Sequence, residues 1–183
     1  PCLIVLMSET LGRDCSDIGN DSLTGRPAPE AGQPQTRDGK DPRMSHLFKL
    51  RVYYEDTDAA GIVYYANYLK YAERARTEML RDLGTENARL MKTEGLAFAV
   101  RRCGVDFLKP ARLDDLLSVE TRLIDIGGAS VVADQRVKRD NAELVRMELK
   151  LACLSLDGRP ARLPAAVKTR LEEFRGNVHS KKQ

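Results

Sequence analysis

Three carboxylates stand close together in the stretch EDTDAAG, which runs from Glu55 to Gly61 and directly precedes a segment with helical periodicity. The free backbone N–H groups at the start of a helix carry partial positive charge and can polarise a carbonyl oxygen. A nearby carboxylate can attack that carbonyl or activate a water molecule. Thioester hydrolysis needs both elements. However, Asp and Thr before a helix are also preferred capping residues, and on these residues alone capping is the simpler interpretation.

The positions of the histidines and cysteines argue against most other catalytic chemistries. His46 and His179 lie at the start of the domain and in the charged tail, so a Ser-His or Cys-His pair is not expected. The chain has no G-x-S-x-G elbow, no Walker-type phosphate loop and no dinucleotide-binding glycine motif. Because no cluster of His, Cys or carboxylates has metal-site spacing, we expect neither a metal nor another cofactor. Cys103 and Cys153 fall in expected strands and are interpreted as small buried hydrophobes.

Composition indicates one soluble domain with a tail. The chain has 183 residues, of which 42% are hydrophobic, and its net charge is only +3, too small to indicate nucleic-acid binding. The four cysteines form no C-x-x-C pair, which favours a reducing, cytoplasmic location. The early apolar run at residues 2–7 is shorter than a signal-peptide core, so neither secretion nor a membrane span is expected.

Composition also divides the chain into three parts. Residues 1–43 are rich in Gly, Pro and small polar residues without a hydrophobic period, which predicts a disordered extension. Because the chain begins with Pro and Met44 directly precedes the first good strand, this extension could equally come from upstream translation or an expression artefact. The functional domain is predicted at 44–176 and a charged tail at 177–183.

Hydrophobic periodicity predicts one strand followed by one long helix. Apolar and polar residues alternate from Phe48 to Glu55, which indicates a strand with one buried face. Apolar residues then recur at helical spacing from Tyr68 to Leu83, and Gly84 is a natural helix stop. The expected polar face of this helix contains Glu73, Arg74, Arg76, Glu78 and Arg81.

The sequence pattern in the second half of the domain predicts a sheet. A shorter helical stretch at 86–92 leads to strands at 96–107, 115–126, 129–139 and 143–156, and a closing helix is expected at 163–174. The tight-turn pairs Gly127-Gly128 and Asp140-Asn141 leave no room for crossover helices, so the last three strands should form an antiparallel meander. We therefore predict an α+β fold in which an antiparallel five-stranded sheet wraps around a long central helix. Exposed sheet edges suggest a homodimer or homotetramer.

Two segments carry a resemblance to a known family. Residues 51–84, RVYYEDTDAAGIVYYANYLKYAERARTEMLRDLG, and residues 109–121, KPARLDDLLSVET, resemble the 4-hydroxybenzoyl-CoA thioesterase family of hotdog proteins, and most closely its Tol-Pal-associated acyl-CoA thioesterase branch. The resemblance covers about residues 46–175. It implies the hotdog fold and hydrolysis of a short-chain or aromatic acyl-CoA to the free acid and coenzyme A.

The resemblance also implies roles for individual residues. Asp58 corresponds to the catalytic carboxylate, as nucleophile or general base, and Asp56 then shapes the turn. The backbone N–H of Tyr65, at the start of the helix, would hold the thioester carbonyl. Many members of the Tol-Pal branch have His at this position, so only the backbone role is carried over. Gly61 and Tyr68 are candidate substrate-binding residues, although an ordinary turn glycine and a core aromatic are the alternatives.

The sequence leaves other assignments and alternative functions open. Arg159 and Arg162, beside the Asp157-Gly158 turn, are candidates for binding the phosphates of coenzyme A. Glu73 is a rival carboxylate on the helix, but a charged surface role is preferred. An alternative function is a non-catalytic module that binds acyl-CoA or acyl-carrier protein within the Tol-Pal envelope system. A hotdog dehydratase is less favoured because the chain lacks a suitable His.

Overall fold

The computed structural model describes residues 45–176. The expected extension at 1–43, Met44 and the charged tail at 177–183 lie outside the described residues. The strands are β1 (His46–Arg51), β2 (Leu96–Phe107), β3 (Leu116–Ile126), β4 (Ser130–Arg139) and β5 (Ala142–Ser155). The helices are α1 (Asn67–Asp82), the short α2 (Asn87–Arg89), which continues into a π-helical turn (Leu90–Glu94), and α3 (Ala165–Gly176).

The strands form one antiparallel sheet in the order β1-β3-β4-β5-β2. The meander β3-β4-β5 and the five-stranded α+β fold class are confirmed. The periodicity did not predict where β2 lies in the sheet: it pairs with β5 along its length, from Leu96 opposite Ser155 to Phe107 opposite Val145. β1 and β2 are therefore the two edge strands.

Helix α1 packs on one face of the sheet because its small and aromatic residues form a continuous apolar stripe. Ala72 and Ala75 are fully buried, and their small side chains let the helix approach the strands closely. Each large apolar side chain that is removed from water here stabilises the fold by about 1.5–3 kcal/mol. The first core cluster includes Tyr68, Tyr71, Leu117, Val119, Val145 and Met147, and the second, which α3 closes, includes Leu123, Val131, Cys153, Leu171 and Phe174.

The first strand ends earlier than its sequence pattern predicts. β1 stops at Arg51, and Tyr54, which the alternation assigns to the buried face, is 83% exposed. The reason is that residues Tyr54–Asp56 form a 3-10 turn, in which the Asp56 carboxylate accepts a hydrogen bond from the Tyr53 N–H at 2.9 Å. The turn takes the chain out of the sheet just before Asp58.

Arg76 was expected on the polar face of α1, and this expectation is wrong. The residue is only 9% exposed, and its Nη1 donates to the buried Gln135 side chain at 2.7 Å. Gln135 in turn donates to the Ala72 carbonyl at 3.0 Å and to Thr121 Oγ1 at 2.8 Å. Burial lowers the pKa of the Arg76 guanidinium from its ordinary value. A buried acceptor from a distant strand thus places this charge inside the fold.

An ion cluster stabilises the other face of the sheet. Glu120 alternates with the core residues Val119 and Thr121 and accepts hydrogen bonds from Lys138 at 2.7 Å and Arg122 at 2.6 Å. Burial by itself would raise the pKa of Glu120, but the hydrogen bonds from Lys138, Arg122 and Ser45 outweigh it and lower the pKa to about 2. The folded state therefore favours the ionised carboxylate.

This shift makes stability depend on pH. Because the pKa of Glu120 falls from about 4.5 in the unfolded chain to about 2 in the fold, its contribution is complete above pH 4.5 and is lost as the pH falls toward 2. Glu120→Gln should lower the free energy of unfolding by roughly 1 kcal/mol at pH 7, a modest loss because solvent screens the cluster. Below pH 4.5 this loss should become progressively smaller. Urea unfolding of both proteins between pH 7 and 2.5 measures this. If the difference in unfolding free energy between the two proteins stays constant over that pH range, the lowered pKa assigned to Glu120 is contradicted.

Candidate functional site

The acidic turn folds back on itself as a small hairpin. Thr57 pairs with Val63, and the Asp58 N–H donates to the Ile62 carbonyl at 2.9 Å. The tip is closed by the Gly61 N–H, which donates to the Asp58 carbonyl at 2.9 Å. Gly61 has a φ of +70°, a left-handed conformation that side-chain-bearing residues rarely adopt. The turn therefore requires this glycine for its backbone shape.

The Asp58 side chain is exposed at this tip. Its Oδ1 accepts the Ala60 N–H at 2.9 Å, which fixes the carboxylate against the turn. Within residues 45–176, its Oδ2 makes no hydrogen bond, so this oxygen is available to a substrate or a water molecule. Asp58 and Gly61 line an open depression of about 440 Å³ together with Tyr54, Thr57, Ala59 and Leu113.

Asp56 stabilises the base of the hairpin. It is 6% exposed, and besides its side-chain bond to Tyr53 its backbone carbonyl accepts the Tyr64 N–H and Asn67 Nδ2, each at 2.9 Å. Beside it the buried hydroxyl of Tyr71 makes no hydrogen bond of ordinary geometry within residues 45–176. Burial, followed by the nearby Asp56 charge, raises the pKa of Tyr71 far above its ordinary value. These contacts agree with the turn-shaping role expected for Asp56.

Tyr65 lies two residues before the first residue of α1, so the helix begins slightly later than expected. Residues 64–67 form a turn closed by the Asn67 N–H, which donates to the Tyr64 carbonyl at 2.9 Å. The N-cap residue, Ala66, provides no capping side chain. Among the described residues no acceptor is bonded to the Tyr65 N–H. The Tyr65 N–H therefore lies just before the helix, and its role as the carbonyl donor stays a prediction.

The Tyr65 ring belongs to an aromatic group of which three rings, those of Tyr64, Tyr65 and Phe107, are exposed. It is 60% exposed and packs edge-on against Phe107, with the ring centroids 6.3 Å apart. Tyr64 and Tyr68 complete this group, with centroids 4.5 Å from Tyr65 and 5.9 Å from Phe107 respectively. The sequence motifs do not single out Phe107. The alternation of Cys103, Val105 and Phe107 could have indicated it.

Tyr68 connects α1 to the loop between β2 and β3. It is 3% exposed, and its hydroxyl accepts the Ala111 N–H at 2.9 Å, while the Ala111 carbonyl accepts the Val63 N–H at 2.9 Å. Burial is the main cause of the raised pKa of Tyr68. The residue thus fixes the loop that carries Leu113 to the depression. Its expected role in substrate binding stays a prediction.

Arg159 and Arg162 lie at the opposite end of the sheet from Tyr65 and Phe107. Arg159 is exposed, pairs with Asp157 at 3.2 Å and follows the end of β5 that faces Leu96. The length of β2 between Leu96 and Phe107 is roughly 35 Å at the usual rise per residue. Within one protomer the structure therefore brings Asp58 and Gly61 together and places the rings of Tyr65 and Tyr68 against Phe107, but the two arginines lie away from both groups.

Comparisons with known proteins agree with this architecture. The family model described as the thioesterase-like superfamily matches residues 52–171. The chain belongs to this superfamily. A relative named acyl-CoA thioesterase YbgC from Haemophilus influenzae is 44% identical over 122 residues, which are 66% of this chain and 90% of that protein. A relative of the same name from Helicobacter pylori is 42% identical over 89 residues, 49% of this chain and 64% of that protein.

Solved structures of the superfamily show the same fold. A probable thioesterase from Bartonella henselae superposes with a TM-score of 0.64 at 40% identity and covers 66% of this chain and 99% of its own. A Staphylococcus aureus protein in complex with CoA, SAV2348, superposes with a TM-score of 0.68 at 13% identity, covering 74% of this chain and 86% of its own, which supports the fold alone. The hotdog fold expected from the resemblance is confirmed.

Two further features concern residues 45–176 of this superfamily member. In that range no group of three or more His, Cys, Asp or Glu residues could hold a metal ion. None of the helices described there has both the length and the apolar character to span a bilayer.

Proposed function

We propose that this thioester hydrolase cleaves acyl-CoA to the free acid and coenzyme A, with Asp58 as the catalytic carboxylate and the Tyr65 N–H as the carbonyl donor. The observation that carries the proposal is the exposed Asp58 carboxylate at the tip of the hairpin, followed two residues after Val63 by the Tyr65 N–H, which has no acceptor within residues 45–176. The printed names of the relatives, acyl-CoA thioesterases at 42–44% identity, support the same activity.

The proposed reaction uses these two groups at different atoms of the thioester. The Tyr65 N–H binds the carbonyl oxygen and stabilises the negative charge that develops there. Asp58 Oδ2 either attacks the carbonyl carbon, expelling the CoA thiolate and forming an acyl-aspartyl anhydride that water then hydrolyses, or removes a proton from an attacking water. Both routes yield one carboxylic acid and one thiol for each water consumed.

The substrate proposed is a short-chain or aromatic acyl-CoA. The exposed rings of Tyr65 and Phe107 lie next to the carbonyl donor, and aromatic rings pack well edge-on or offset against an aryl group. A panel of aliphatic and aromatic acyl-CoA substrates, followed by release of free thiol, tests this. Saturable binding without thiol release would instead support the non-catalytic acyl-CoA or acyl-carrier-protein module.

We also propose that two copies pair through β2. This strand is 12 residues long and lies at one edge of the described sheet, where unpaired backbone groups favour strand addition. An antiparallel pair of β2 strands would place the Leu96 end of one copy beside the Phe107 end of the other. In that arrangement Arg159 and Arg162 of the second copy approach the Tyr65 group, where they could bind the phosphates of coenzyme A. Light scattering of the purified protein distinguishes a monomer, which would contradict the pairing, from a dimer or tetramer.

The arginine assignment predicts a specific kinetic change. Arg159→Ala/Arg162→Ala should raise KM for an acyl-CoA roughly 10-fold, because charge-assisted contacts to phosphate are lost, and leave KM for the matching acyl-pantetheine unchanged. Lys49→Ala/Lys150→Ala, which removes two positive charges from exposed positions on β1 and β5, is the matched control. An equal rise in KM for both substrates would refute the assignment.

We also propose a cellular location and a pathway for the protein, each from a single observation. Cys103 and Cys153 are free thiols in the fold, which supports a reducing compartment such as the cytoplasm. Cell fractionation tests this. A link to the Tol-Pal system rests on the sequence resemblance, and failure of any Tol-Pal component to co-purify with the protein from cross-linked cells would count against it.

A further inference from the structure

Asn67 is the first residue of α1, yet its side chain points into the protein. It is 5% exposed, and its Nδ2 donates to the Asp56 carbonyl at 2.9 Å across 11 residues of chain. A polar side chain at a helix start commonly caps the free N–H groups of its own helix. Asn67 instead bonds the Asp56 carbonyl of the preceding segment, so its side chain does not cap α1.

The Asp56 carbonyl connects the two halves of the proposed site. It accepts two donors, the Tyr64 N–H and Asn67 Nδ2, each at 2.9 Å. Tyr64 directly precedes Tyr65, and Asn67 follows it by two residues. Asp56 itself lies two residues before Asp58. The Asp56 carbonyl oxygen therefore fixes the chain on both sides of Tyr65, the proposed carbonyl donor. It also fixes the position of Tyr65 relative to Asp58, the proposed catalytic carboxylate.

We propose that Asn67 is a positioning residue for thioester cleavage, which sets the placement of the Tyr65 N–H relative to Asp58. This inference rests on the proposed function. Asn67 is buried and its amide N–H is bonded to the protein, so it acts through Tyr65 and not on the substrate. The thioester carbonyl must contact its hydrogen-bond donor and the nucleophile at the same time. A displacement of one of these groups by about 1 Å can lower the rate about 100-fold.

The test is Asn67→Leu, which keeps the branched shape of the side chain, is larger, and removes the donor. We expect kcat for acyl-CoA hydrolysis to fall about 10- to 100-fold, with KM changed by less than about threefold, because misplacement of the carbonyl donor affects the transition state more than substrate binding. Asn67→Ala is the second variant, for use if the leucine prevents folding, and should lower kcat at least about fivefold.

Gln135→Glu is the matched control because it removes the same type of bond from the same helix. Gln135 is fully buried and its Nε2 donates to the Ala72 carbonyl at 3.0 Å, more than one turn beyond the start of α1 and without a bond to the Asp56 hairpin. Glutamate keeps an acceptor for Arg76, which bonds Gln135 Oε1 at 2.7 Å. This variant should lower the thermal midpoint and leave kcat within about twofold of the wild type, as expected for a purely structural contact.

The outcomes separate the inference from the function on which it rests. An active wild type, with Asn67→Leu and Asn67→Ala both at full kcat, overturns the positioning role alone. The same conclusion follows if Gln135→Glu lowers kcat as much as Asn67→Leu for an equal loss of thermal midpoint. If the wild type releases no thiol from any acyl-CoA, the proposed function fails and this inference fails with it.

Discussion

Replacement of Asp58 by Asn is expected to lower kcat for acyl-CoA hydrolysis by about 10²- to 10⁴-fold, the usual contribution of a general base or nucleophile. The fold should not change. The side chain is exposed, and the amide retains an Oδ1 that can accept the Ala60 N–H, a bond of 2.9 Å in the structure. The variant loses the negative charge and the basic Oδ2, and keeps the shape of the turn.

Free-thiol release under saturating acyl-CoA measures this effect, and thermal unfolding checks the fold. Glu55→Gln is the matched control, because Glu55 is an exposed carboxylate of the same stretch and should be replaceable without loss of kcat. Retention of full turnover by Asp58→Asn would rule out the catalytic assignment. Label found in the Asp58 carboxylate after a single turnover in ¹⁸O-water would demonstrate direct attack by that residue, because the general-base route places all of the label in the released acid.

Much of the fold could be predicted because its signals are local. The apolar stripe of α1 and the tight turns at Gly127-Gly128 and Asp140-Asn141 depend on neighbouring residues, and the structure confirms the helix and the meander. The position of β2 could not be predicted, because its partner β5 begins well beyond it in the chain. The burial of Arg76 likewise depends on Gln135, which is 59 residues away in sequence.

The candidate site shows the same division between local and distant contacts. Asp58 and Gly61 belong to one turn and could be selected from a short motif. Phe107 reaches Tyr65 only because β2 ends beside the start of α1, and Leu113 reaches the depression through the loop held by Tyr68. The sequence motif also gives no indication that Asn67 turns away from the helix start, since this depends on a buried carbonyl in the hairpin.

Replacement of Tyr65 by Pro should lower kcat by about 10²- to 10³-fold, as loss of one oxyanion donor does in other hydrolases. Proline removes the N–H, and nothing within residues 45–176 accepts a hydrogen bond from that group, so the fold loses no contact of its backbone. Tyr65 is the second residue of the turn closed between Tyr64 and Asn67, a position that proline favours.

Tyr65→Phe is the matched control, because it retains the N–H and the ring that packs 6.3 Å from Phe107. If the backbone alone acts on the carbonyl, the phenylalanine variant keeps kcat within about threefold while the proline variant loses it. Equal losses in the two variants would move the catalytic role to the hydroxyl, and full activity of Tyr65→Pro would remove the helix start from the mechanism. Thiol release, with thermal unfolding to verify the proline variant, therefore decides whether catalysis needs the hydroxyl at position 65 or the backbone N–H and ring that phenylalanine retains.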